Sequence, residues 1–126
     1  TAEDAARSLG VPVERIAKTV IVITDRGPLA LFLRGPHRVD FEAVKRILGL
    51  KKLRMASPDE VERITGYRVG GVPPLIEGVE TIVEESLAGE ASEIFCGGGD
   101  ERTLIARRPR QLVEKLGLRV YRFAKH

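Results

Sequence analysis

The sequence predicts an α+β fold in which a mixed, curled sheet is surrounded by helices. Three observations lead there. Strand-like and helix-like segments alternate irregularly, one early pair of strands is joined too tightly for anything but a hairpin, and the chain's size suits one core. The 126 residues are 43% hydrophobic and 31% charged, so residues 1–126 are expected to form one domain with no need of disulfide or metal.

Ala2–Leu9 reads as a helix stopped by Gly10. Thr19–Thr24 is β-branched and almost continuously apolar, as in a strand covered on both faces. Asp25-Arg26-Gly27-Pro28 is a turn, and Leu29–Leu33 returns as the partner strand. Asp40–Leu48 is amphipathic, with Asp40 as N-cap, Phe41, Val44, Ile47 and Leu48 on one face, and Gly49 at the end. Ser57-Pro58-Asp59-Glu60 is a capping box with proline at the first helical position, opening a helix that stops near Gly66. Strands are expected at Thr81–Val83, Glu93–Cys96, Thr103–Ala106 and Arg119–Phe123, the last two flanking a helix at Arg110–Leu116.

Composition narrows the chemistry. No apolar run approaches the ~20 residues of a membrane span, and Glu3, Asp4 and Arg7 make the first ten residues unlike a signal peptide. A lone Cys96 forms no internal disulfide and cannot build a four-cysteine zinc site. A cytoplasmic setting is therefore expected. Net charge is +3, and 15 of the 21 cations are arginine, whose planar fork suits phosphate. Lys45, Arg46, Lys51, Lys52 and Arg54 form one basic group, and Arg102, Arg107, Arg108 and Arg110 another. Each is either a solvated face or a phosphate track.

Most catalytic constellations are missing. The chain has no G-x-S-x-G elbow, H-E-x-x-H, Walker loop or G-x-G-x-x-G. His37 and His126 read as exposed, and Cys96 as a small hydrophobe or, less simply, a nucleophile. Two glycine segments stand out, Gly70-Gly71-Val72-Pro73-Pro74 and Gly97-Gly98-Gly99-Asp100. Consecutive glycines are either mobile turns or backbone nests for a phosphate or an oxyanion. Lys18, directly before the Thr19–Thr24 strand, is either a surface lysine or a cation aimed into a pocket.

These same residues carry a family resemblance. Arg15-Ile16-Ala17-Lys18-Thr19-Val20, Leu48-Gly49 with Lys51-Lys52, Met55-Ala56, Thr65-Gly66-Tyr67-Arg68-Val69-Gly70-Gly71-Val72-Pro73-Pro74 and Gly97-Gly98-Gly99 follow in order. Together they resemble the YbaK/ProX-type aminoacyl-tRNA deacylases and the inserted editing domain of bacterial prolyl-tRNA synthetases. The resemblance implies a barrel-like sheet and hydrolysis of the ester between a wrong amino acid and the tRNA 3′ end, most simply alanine or cysteine on proline tRNA. It implies no metal or organic cofactor. Mischarged tRNA, through its acceptor end, is the implied substrate, and prolyl-tRNA synthetase the implied partner.

By the same resemblance Lys18 contacts the 3′-terminal nucleotide, and Gly70, Gly71 and Pro74 belong to the loop that shapes the pocket and offers amides to the ester. Thr19, Thr65, Gly66 and Tyr67 accompany them, and Gly97, Gly98, Gly99 and Asp100 form the loop that receives the terminal adenosine. Arg102-Thr103 stand where some prolyl-type editing domains have a histidine. A non-catalytic module that binds an acceptor end or a nucleotide is the alternative, and a hydrolase dependent on Cys96 a third reading.

Overall fold

The computed structural model describes residues 1–100 and 102–126. Helix α1 spans Ala2–Leu9, and a single 3-10 turn at Val13–Arg15 leads into the hairpin β1 (Ala17–Thr24) and β2 (Gly27–Arg34). Then come β3 (Arg38–Val39), α2 (Phe41–Leu48), β4 (Leu53–Met55), α3 (Pro58–Thr65), β5 (Thr81–Glu84) and α4 (Glu85–Ala88). The chain continues through β6 (Ile94–Gly97), β7 (Leu104–Arg107), α5 (Pro109–Leu116), β8 (Arg119–Tyr121) and β9 (Ala124–Lys125).

The main sheet has five strands in the order β4-β1-β2-β5-β8. The β4, β1 and β2 ladders are antiparallel, and β2, β5 and β8 run parallel. The α+β class and the mixed sheet agree with the sequence; the curled barrel does not. The sheet is open, with β4 and β8 at opposite edges, and β3–β9 and β6–β7 are separate two-stranded ribbons. β4 and β8 have three residues each, too short for the tilt and stagger that closure requires. The β6–β7 ribbon reaches β1 through a bridge between Ile16 and Phe95.

Local signals explain the helices. Asp40 accepts the Ala43 N–H at 3.1 Å and Gly49 ends α2 in the left-handed conformation. At α3 both halves of the capping box form, Glu60 N–H to Ser57 Oγ at 3.2 Å and Ser57 N–H to Glu60 Oε1 at 3.0 Å. The strand buried on both faces is β2; β1, expected to be so, is buried at Ala17, Ile21 and Val22 and only partly covered elsewhere. Leu29, Leu31 and Leu33 pack with Val22, Val44 and Ile82, whereas Phe32, on the other face, packs with Val83, Leu87 and Ile94. β1 begins at Ala17, two residues earlier than expected. Lys18 thus lies inside the ladder opposite Leu33, because β2 extends to Arg34 and supplies partners for the extra residues.

Candidate functional site

A cavity of about 740 Å³ opens beside the start of β1. Its walls are Ile16–Val20, the inner side of α1, Gly35, the Val69–Gly70–Val72 segment, Gly97, Arg102 and Leu104. Lys18, Thr19, Gly70 and Gly97 therefore meet in one hollow. Lys18 is half-buried, and removal of water from its ammonium lowers its pKa below the ordinary lysine value, while Glu3 on α1 works in the opposite direction. Beside it, the Thr19 hydroxyl is buried with no hydrogen-bond partner among the described residues.

The remaining predicted residues divide between a second hollow and the scaffold. The second, of about 480 Å³, is lined by Gly66, Tyr67 and Arg68 on one side and Gly99, Asp100 and Thr103 on the other. Arg102 lines both hollows. Thr65, Gly71, Pro74 and Gly98 line neither. The Thr65 hydroxyl donates to Val61 O at 2.7 Å and accepts the Tyr67 N–H at 3.0 Å, closing α3. Pro74 is fully buried and its carbonyl accepts the Thr81 hydroxyl at 2.5 Å. The Gly98 N–H donates to Thr103 O at 3.0 Å.

The glycines do something composition alone does not reveal. A Cβ on Gly97 would stand 2.5 Å from the Val72 carbonyl oxygen, and one on Gly71 would stand 2.8 Å from the Asp100 backbone. Two stretches of main chain are pressed together there, closer than any side chain permits. The Gly71 N–H, expected to face a substrate, instead donates to Arg68 O at 2.9 Å. By contrast, the Gly70 N–H, on the cavity wall, meets no acceptor among the described residues. Asp100 holds its loop from within, accepting the Arg102 N–H, the Thr103 N–H and the Thr103 hydroxyl, each at 2.8 Å. These bonds, the Thr103 hydroxyl foremost, keep its carboxyl below the usual aspartate range.

Other candidates fall away. Cys96 is wholly buried, its thiol is pushed up to about 12 by burial, and its sulfur approaches the Ile105 carbonyl at 3.8 Å. A thiol that cannot ionise near neutrality is no nucleophile. Neither histidine lines either of these hollows; His126 is exposed as expected, whereas His37 is half-buried, because its ring packs against that of His126, with His37 Nε2 and His126 Nδ1 2.9 Å apart. Sequence reasoning missed the α1 wall and Gly35. A Cβ on Gly35 would come within 2.7 Å of Ala2 Cβ, so this glycine seats α1 against the sheet. A glycine inside Gly-Pro-His-Arg reads only as a turn.

The family profile for the aminoacyl-tRNA editing domain matches residues 1–115, which takes in both glycine segments and Lys18. The chain belongs to this family. A proline–tRNA ligase of Geobacter metallireducens is 33% identical over 102 residues, covering 81% of this chain and 18% of the ligase. That of Pelotomaculum thermopropionicum is 32% identical over 108 residues, covering 85% and 19%. The editing domain thus spans about a fifth of the length of these curated relatives. Among solved structures, one of a hypothetical protein superposes with a TM-score of 0.91 at 34% identity, covering 99% of this chain and 84% of the other. A proposed trans-editing enzyme for prolyl tRNA synthetase superposes at 0.88 and 30% identity, covering 100% and 80%. No helix among the described residues of the editing domain is long and apolar enough to cross a membrane.

Proposed function

We propose that this editing domain, residues 1–126, is a deacylase acting in trans on mischarged tRNA, with alanyl- or cysteinyl-tRNA for proline as substrate. The observation that carries this reading is the shared cavity, whose lining brings Lys18, Gly70 and Gly97 together. Similarity to proline–tRNA ligases and to a proposed trans-editing enzyme supports the choice of proline tRNA, and prolyl-tRNA synthetase as the partner that delivers it.

The chemistry asks little of side chains. An aminoacyl ester is already activated, so positioning a water and stabilising the developing oxyanion suffice. Water adds to the ester carbonyl and loses its proton to solvent or through the ribose 2′-hydroxyl. The acyl C–O bond then breaks, giving the free amino acid and the tRNA 3′-hydroxyl. In this scheme the Lys18 ammonium binds the 3′-terminal nucleotide and holds the ester in place. The Gly70 N–H is the donor for the oxyanion, and Thr19 offers its unpaired hydroxyl beside them. Gly71, Pro74, Thr65 and Gly98 act through the scaffold, fixing the two loops. The second hollow, with Gly66, Tyr67, Gly99 and Asp100, takes the next part of the acceptor end, and Arg102 joins the two. A cavity that admits small acyl groups adds a second sieve where one methylene is worth only ~1–3 kcal/mol in a synthetic site.

Release of amino acid from alanyl- and cysteinyl-tRNA for proline, by the wild type and by Lys18→Ala, tests the reading. Turnover by the wild type and its loss in the variant are expected. Equal rates would remove Lys18 from the mechanism, and stoichiometric binding without cleavage would identify a binding module instead.

A further inference from the structure

The cavity lining carries charge of both signs, on different elements. Lys18 projects from β1 and Arg102 from the loop before β7, whereas Glu3 and Asp4 belong to the first turn of α1. The two acids differ. Asp4 faces Arg7 at 3.6 Å, so its charge is already answered along its own helix. Glu3 is exposed and makes no ion pair within 4.0 Å among the described residues. Lys18 makes none within that distance either. The two charges line one hollow, Glu3 from α1 and Lys18 from β1, near enough for Glu3 to act on the Lys18 ammonium and yet unpaired among the described residues.

An aminoacyl ester presents the matching pattern. Its nucleotide side is anionic, and its α-carbon, next to the scissile carbonyl, carries an ammonium. A carbonyl held near Lys18 draws that ammonium into a space already occupied by a cation. The repulsion must be offset by an anion on another wall. We infer that Glu3, resting on the deacylase reading above, is the specificity residue that accepts the substrate's α-ammonium in the cavity it shares with Lys18. The editing domain would thus recognise the amino acid as an amino acid, by the charge common to all of them, and leave size selection to the apolar walls at Ala17, Val20, Val72 and Leu104. Glu3 also keeps the ammonium protonated, which leaves the neighbouring carbonyl electron-poor and open to attack.

The test compares alanyl-tRNA with lactyl-tRNA, in which a hydroxyl replaces the ammonium at nearly constant size, for the wild type, Glu3→Gln and Glu3→Asp. The wild type should prefer the alanyl ester. Glu3→Gln should lower kcat/KM for alanyl-tRNA about tenfold, as for a charge-assisted contact partly open to water, and leave lactyl-tRNA within about twofold. Glu3→Asp should recover part of the difference. Unchanged lactyl turnover also reports that the variant is folded. Equal loss on both esters would assign Glu3 a structural role and overturn the inference, as would no loss on either. A wild type inert toward both esters would instead overturn the deacylase reading itself, and the role of Glu3 with it.

Discussion

The Gly99 N–H donates to the Gly71 carbonyl at 2.9 Å, and this main-chain bond joins the two glycine segments into a single wall. The segments are 28 positions apart in sequence, and nothing but backbone lies between them where they touch. Rigidity at this wall is what would let the Gly70 amide point at a reacting carbonyl without reorganisation.

A methyl group is therefore expected to be costly at Gly97. Gly97→Ala would press Cβ to 2.5 Å from the Val72 oxygen, forcing the loops apart at a cost of about 1–3 kcal/mol. Gly89 is the control: its Cβ would meet nothing within 4 Å, and its φ of −81° suits any residue. Urea midpoints should fall for Gly97→Ala and hold or rise slightly for Gly89→Ala. Deacylation should fall only in the first.

What was legible in the sequence is what neighbours in sequence decide. The Ser57–Glu60 capping box and the Asp40 and Gly49 caps needed only residues three or four positions apart, and they form as read. The setting of Lys18 needed β2, since its place inside the ladder depends on Leu33. A glycine that faces solvent and a glycine that faces another backbone are identical letters, so Gly71 read as an amide donor although its N–H serves Arg68. The α1 wall was hidden for the same reason: only the packed structure brings Ala2 onto Gly35. The resemblance supplied the family, and three-dimensional packing separated cavity residues from scaffold.

Cys96→Ala should deacylate at the wild-type rate. The thiol is buried, with its pKa pushed up to about 12, so it supplies no thiolate at neutral pH. The cavity left by sulfur should cost about 1 kcal/mol of stability. A loss of activity larger than the loss of folded protein would revive the cysteine mechanism.

Arg102 lines both hollows, which makes it the side chain best placed to hold a phosphate between two nucleotides. Arg102→Ala should raise KM for aminoacyl-tRNA with little change in kcat. It should also flatten the dependence of log KM on log salt by about one phosphate contact. The same variant acting on an aminoacyl-adenosine, which lacks that phosphate, should be nearly unimpaired. Equal losses on both substrates would place Arg102 at the ester instead.

His37 sets an acid limit to stability. Burial lowers its pKa below 6.5, the neighbouring His126 adds to this, and Arg34 and Lys18 act in the same sense against Glu84. The folded state therefore binds fewer protons than the unfolded state once the pH drops below 6.5. Stability should be fully present above that value and decline as pH falls toward the depressed folded pKa. Since His37 and His126 tie β3 to β9, amides of that ribbon should exchange first. His37→Gln should flatten the melting-temperature profile between pH 7 and pH 5, and a profile unchanged by the substitution would remove His37 as its cause.

Lys18 should show function and stability in opposition. Partial burial disfavours its ammonium and lowers its pKa, so if the cation is what holds the substrate, catalysis must fade on the alkaline side earlier than an ordinary lysine would predict. Corrected for spontaneous ester hydrolysis, kcat/KM should fall as pH rises through that depressed value. Lys18→Arg, whose charge persists, should lose this limb while retaining a fraction of the rate. Lys18→Met removes the desolvated charge but keeps most of the side-chain volume. It should abolish deacylation and yet stabilise the fold, by no more than about 1 kcal/mol because water still reaches much of the group. A Lys18→Met protein that is both inactive and less stable would mean that the ammonium is held by the fold rather than kept for the substrate.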